Sequence, residues 1–117
     1  MAMINLVEQP GQIKSVDAAE ALVKGRFVNA AGAYVDSGRC LGVTLYDCNA
    51  GEQASIAYSG IVVVEAGATI AAEDLVMPTT DGKADAVDPT TLAEVVAARG
   101  TAVTGASSGG YFLLRLH

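Results

Sequence analysis

Few side chains in this 117-residue chain are suited to chemistry, and their spacing matches no reactive constellation. The one histidine is His117, the last residue, where a side chain is expected to be mobile. Zinc is held by tetrahedral sets of Cys, His and carboxylate ligands, and nothing at ligand spacing accompanies His117. Ser–His–Asp and Cys–His nucleophile schemes need an ordered imidazole beside the nucleophile, so they fail too. The run Gly105-Ala-Ser-Ser-Gly-Gly110 lacks the Lys-Ser/Thr of a phosphate loop and opens no helix. It reads as a turn. The acidic pairs Glu73-Asp74 and Asp47…Glu52 do not extend into the Asp-x-Asp-x-Asp-Gly run of a calcium loop. The expectation is therefore a protein that is not an enzyme and has no cofactor or metal.

Cys40 and Cys48 bracket Leu41–Asp47, which reads as a strand. At about 3.3 Å per residue its ends lie more than about 20 Å apart, whereas a disulfide needs Cα atoms within about 7 Å. Both are expected to be reduced apolar fillers.

Half of the residues are apolar, but only six are aromatic and none is Trp; Ala, Val, Leu and Ile are spread among 13 glycines. This mixture suits short strands and tight turns and is too apolar for a disordered tail. The length fits one domain with one core. No apolar run approaches the roughly 20 residues that cross a bilayer, and Met1–Gln9 lacks the basic start and apolar stretch of a secretory signal. The net charge is −6. Residues 1–40 are balanced, and the acidic excess lies in 41–117. Nucleic-acid binding runs on Lys/Arg clusters that release counterions, so neither a nucleic acid nor a membrane is an expected partner.

The elements follow from period and punctuation. Residues 1–11 end in the turn signal Gln9-Pro10-Gly11 and read as an N-terminal arm, with residues 12–117 as the domain. Gln12–Val16 is a first short strand. Asp17–Val23 has helix-forming composition, stopped within two turns by Gly25. Arg26–Asn29 and Ala33–Asp36 form a hairpin through Ala30-Ala31-Gly32. Leu41–Tyr46 and Gln53–Ser59 alternate apolar and polar residues, the mark of strands with one face in the core. Asn49-Ala50-Gly51-Glu52 turns between them, with Gly51 free to take positive φ. Ile61–Val64 is a continuous β-branched run and reads as a buried strand. Leu75–Met77 and Lys83–Val87 flank a turn containing Asp81-Gly82. Pro89–Val96 is either a short helix capped by Asp88 or a loop and strand, the second being preferred. Arg99–Thr104 and Tyr111–Leu116 make a last hairpin, with Phe112, Leu114 and Leu116 on one face.

The chain also echoes itself. Ala18–Val23 matches Ala71–Val76 at five of six positions, and Gly42 and Gly51 are spaced like Gly100 and Gly109. Two similar β-halves, the second longer before its final hairpin, would explain the pattern. The fold expected is all-β: a small single-domain β-barrel or sandwich of short antiparallel strands, with at most one or two short helices. What remains for function is surface. Tyr34, Tyr46 and Tyr111 fall opposite the apolar stripes or near their ends, and Tyr is favoured at interfaces because it joins area to a polar tip.

In this order of pieces the sequence resembles the phage capsid cement (head decoration) proteins. The likeness is carried by Leu41-Gly-Val-Thr-Leu45, the spacer Asp47–Glu52, an alternating strand ending in Gly60, a short valine strand and an Ala-Gly-Ala break. Ile70-Ala-Ala-Glu-Asp-Leu-Val76 follows, then Gly100–Gly110 leading into Tyr111–Leu116. It spans about residues 5–117 and departs most at Ala18–Lys24. The resemblance implies a virion protein, made in the host cytoplasm, that binds the major capsid protein on the exterior of the head. There it assembles as a homotrimer, bridges capsomers and stabilises the shell. The arm could add a strand to a capsid sheet edge; removing residues 1–10 is then expected to spare the fold and weaken binding. The interface residues expected are Ile4, Leu6, Val7, Pro10, Tyr34, Tyr46 and Tyr111. The alternative is a surface β-domain that binds a host glycan or protein.

Overall fold

A computed structural model describes residues 7–35, 40–88, 90 and 98–116. It is all-β, with ten short strands and a single 3-10 turn at Thr80–Gly82 among the described residues. The strands are β1 (Gln9–Pro10), β2 (Ile13–Asp17), β3 (Phe27–Val28), β4 (Gly42–Thr44) and β5 (Gln53–Ala57), then β6 (Gly60–Glu65), β7 (Leu75–Pro78), β8 (Ala84–Ala86), β9 (Gly100–Ala102) and β10 (Tyr111–Leu116). They form a six-stranded sheet in the order β1-β6-β10-β9-β7-β8 and a four-stranded sheet in the order β2-β5-β4-β3, both antiparallel and neither closed into a barrel.

The period-2 pattern decides which face each strand buries. In β10, Phe112 and Leu114 are fully buried, while Tyr111, Leu113 and Arg115 point the other way. Phe112 and Leu114 meet Val62, Val64 and Val76 of the same sheet and Phe27, Val43 and Ala57 of the other. This shared core joins the two sheets. Full burial of each large side chain is worth about 1.5–3 kcal/mol. A smaller core of Ala18, Leu22, Val28, Ala54 and Ile56 lies on the opposite face of the four-stranded sheet.

The expected hairpins are present, and residues 84–86 pair with 76–78 across the 3-10 turn, where Asp81 and Gly82 both take positive φ. The Asp36 end of the first hairpin and the Pro89–Val96 segment lie outside the described residues, apart from Thr90. The helical expectation for Asp17–Val23 is overturned. Asp17 ends β2, and Leu22 exchanges both backbone hydrogen bonds with Cys48 at 2.9 Å. The Ala18 and Ala19 N–H groups donate to Glu52 and Gly32. Non-local backbone partners and the burial of Ala18 and Leu22 outweigh local helix propensity, which is only a weak prior over so short a stretch. Cys40 and Cys48 are free thiols.

The last residues of the expected arm belong to the sheet. Gln9 and Pro10 pair with Ile61 and Gly60, and Glu8 lends a carboxylate oxygen to the Val63 N–H at 2.9 Å. The side chain occupies the place where a further strand residue would bond, and so caps the β6 edge.

The two halves are duplicated in register. Tyr111↔Glu65 and Phe112↔Val64 repeat Gln53↔Asp17 and Ala54↔Val16. Leu75↔Thr101 and Val76↔Gly100 repeat Phe27↔Val43 and Val28↔Gly42. The bridge Leu22↔Cys48 returns as Ile70↔Ala106, and the turn residue Gly25 (φ 82°) returns as Glu73 (φ 73°). The Gly42/Gly51 and Gly100/Gly109 echo is therefore structural. The likeness of Ala18–Val23 to Ala71–Val76 is not, because Ala18 corresponds to Ala66 and Leu22 to Ile70.

Candidate functional site

The duplication exposes an asymmetry. In the first half, Phe27, Val43, Leu45 and Ala57 share one face of the four-stranded sheet and are 0–3 % exposed, packed on the second half. Their counterparts Leu75, Thr101, Val103 and Arg115 lie on the outer face of the six-stranded sheet. No sheet covers that face among the described residues. Pairing puts Arg115 between Ile61 and Thr101, and Leu113 beside Val63. The Val103 N–H bonds the Leu113 carbonyl at 2.7 Å. Val103 and Tyr111 are 45 % and 49 % exposed, Ile61, Leu75 and Leu113 are half-buried, and Arg115 is exposed. Adjoining exposed and half-buried apolar side chains on an open sheet face mark a candidate contact surface.

At one end this face opens into a cleft of about 580 Å³ lined by Val23, Lys24, Arg26, Asp47, Val63, Glu65 and Tyr111. The turn that forms its wall is held from below by Thr44. The buried Thr44 hydroxyl donates to the Val23 carbonyl at 2.6 Å and accepts from the Arg26 N–H at 3.0 Å. Gly25 completes the turn at positive φ, and its carbonyl accepts from the Glu65 N–H at 2.9 Å. A side chain here would crowd the Val63 carbonyl, so glycine permits the close approach.

The charges of the cleft are engaged with one another. Arg26 donates to Glu65 Oε1 through Nε (3.2 Å) and Nη2 (3.0 Å), and both side chains are largely buried. Lys83 reaches the other Glu65 oxygen at 3.6 Å. Lys24 donates to Glu8 at 2.7 Å and to the Leu45 carbonyl at 3.0 Å, while its own N–H donates to Asp47 at 2.8 Å. Such groups fix shape. Away from the cleft lining, where Cys40 packs against the larger core, burial pushes its thiol up from the ordinary value, against the opposing pull of Arg99.

Of the residues singled out from sequence, Tyr111 lines the cleft and its hydroxyl lies 3.5 Å from Glu65. Tyr46, 68 % exposed, stands beside it with Lys24 Nζ 6.0 Å from its ring centroid. Val7 is exposed next to Glu8, and Pro10 is exposed in β1. Tyr34 is half-buried: its hydroxyl accepts from the Val23 N–H at 2.9 Å, and Arg26 lies 5.5 Å from its ring centroid. It braces the cleft wall. Ile4 and Leu6 lie outside the described residues. Val23, Val63, Glu65, Val103, Leu113 and Arg115 were not anticipated. The alternation of β10 was the available signal, since the face opposite Phe112 and Leu114 carries Tyr111, Leu113 and Arg115.

The model of the phage cement protein family matches residues 8–116. The chain belongs to the phage cement proteins. Among solved structures, the fold is similar to that of the head fiber gp8.5 N base of bacteriophage phi29, with a TM-score of 0.72 at 19 % identity over 91 % of this chain and 93 % of that one. At that identity the likeness speaks for the fold. No curated protein matches. As a cement protein, the chain is a structural protein of the phage head, and the exposed apolar face is the natural place to seek its contacts.

Proposed function

We propose that this protein binds the exterior of a phage head, as a homotrimer, and stabilises the shell by bridging neighbouring units of the major capsid protein. The observation that supports this reading is the outer face of the six-stranded sheet, which no other sheet covers among the described residues and whose counterpart in the first half is fully buried. The chemistry of the site suits adhesion. Its carboxylates and cations are paired with each other, and its remaining groups offer apolar area and aromatic rims. Many copies, each making a modest contact, reinforce a shell through multivalency without any single strong bond. The acidic excess suits a position on the outside of the particle, away from packaged nucleic acid.

The test is to mix purified protein with undecorated, expanded heads. Saturable binding with raised resistance to heat or chelator is expected, and light scattering should give three chains per soluble particle. Heads that remain bare and no more resistant would contradict the reading.

A further inference from the structure

We infer that the outer face of the six-stranded sheet is the docking surface, and that its partner is a head protein surface that is apolar and presents a carboxylate to Arg115. The inference rests on the head-protein reading above and supplies its contact surface. Three observations carry it.

The first is what the same face does elsewhere in the chain. Phe27, Val43, Leu45 and Ala57 are buried against a second module, so this register of residues is one that packs. Leu75 and Val103 keep apolar character at two of the four equivalent positions, and Ile61, Val63 and Leu113 extend it.

The second is charge. Ala57 is replaced by Arg115, an exposed guanidinium between Ile61 and Thr101, with Leu113 next on the same face of its strand. Lys24, Arg26 and Lys83 each have a carboxylate partner, whereas Arg115 has no ion pair among the described residues. Covering an unpaired charge with apolar surface is costly, while a carboxylate met by the planar guanidinium fork removes that cost and fixes orientation.

The third observation argues against a second copy as the occupant. Head-to-tail stacking would lay this face on the first half of the next chain, as the first half lies on the second. There Lys14 stands where the second half offers Val62, and Asp74 would meet Asp17 where Arg26 meets Glu65 within the chain. Like charges replace an ion pair. The partner is a different protein.

The full-length chain and its Arg115→Glu, Arg115→Lys, Val103→Asp and Lys14→Glu variants are titrated onto undecorated heads, with circular dichroism to confirm the fold. All the substituted side chains are exposed. Arg115→Glu and Val103→Asp are expected to weaken binding at least about 100-fold, Arg115→Lys about 10-fold, and Lys14→Glu less than about 3-fold. Wild-type binding that survives Arg115→Glu and Val103→Asp within about 3-fold would overturn the docking surface while leaving the head reading intact. Failure of the wild-type chain to bind heads would instead remove the head reading and this inference with it. Variants that lose self-association in sedimentation while keeping full head affinity would make a second copy the occupant, and would also overturn it.

Discussion

Replacing Thr44 by Val should cost more stability than any other change that leaves side-chain volume nearly constant. The Thr44 hydroxyl is fully buried and serves two backbone groups, the Val23 carbonyl at 2.6 Å and the Arg26 N–H at 3.0 Å. No other hydrogen bond engages either group among those described. Valine keeps the shape and removes both partners. A buried polar group left unpaired costs about 1–3 kcal/mol, and water reaching the half-exposed Val23 side lowers one of the two terms. The expected loss is about 2–4 kcal/mol, or about 8–16 °C in Tm for a domain of this size. Thr44→Ser, which keeps the hydroxyl and loses one methyl, should cost only about 1 kcal/mol. Urea denaturation followed by circular dichroism measures both. A Thr44→Val loss below about 0.5 kcal/mol, or a serine variant as damaged as the valine one, would show that the hydroxyl does not hold the cleft wall.

Gly42→Ala should destabilise by at least about 2 kcal/mol, because a Cβ there runs into the Ala57 carbonyl of the neighbouring strand, whereas Gly51→Ala, in open space at φ 86°, should cost only about 1 kcal/mol; thermal melts compare the two. Glu8→Ala should raise the hydrogen-exchange rate of the Val63 amide, which Glu8 alone caps, and should leave the Val62 and Val64 amides, paired to β10, unchanged in mass spectrometry or NMR. The Cys40 thiol is held above its ordinary 9.0 by burial, so the folded chain keeps a proton that the unfolded chain gives up as pH rises. That contribution is constant below the unfolded value and is lost with rising pH above it. Chemical denaturation at pH 8 and pH 9.5 should show a stability loss that Cys40→Ala reduces.

The parts legible in the sequence were those whose signal is local. Leu41–Leu45 and Ala54–Tyr58 carry the period-2 alternation of strands, although both faces are covered and not only the one expected, Val43, Leu45 and Ala57 lying in the larger core and Ala54 and Ile56 in the smaller. Asn49–Glu52 and Asp81-Gly82 carry turn chemistry in adjacent residues. Asp17–Val23 misled because its partners, Cys48, Glu52 and Gly32, are distant in the chain while its Ala-rich composition is local. For the same reason the matching hexapeptides suggested the wrong register for a real duplication, which only strand pairing reveals. At the site, Tyr46 and Tyr111 stood out as aromatics off the core stripe. Val63 did not, since a run of valines hides which members face outwards, and Arg115 gains meaning only once its counterpart Ala57 is seen buried. The Arg26–Glu65 pair, joining halves 39 residues apart, left no trace in spacing.

The orientation of the molecule on the particle is the most direct test of the claim that the protein works by adhesion through one face. Heads saturated with the protein and reconstructed by electron cryomicroscopy should show Val103, Leu113 and Arg115 against the shell, with the Ala18–Leu22 side turned to solvent. Density with the six-stranded sheet's outer face open to solvent, and the four-stranded sheet on the shell, would contradict it.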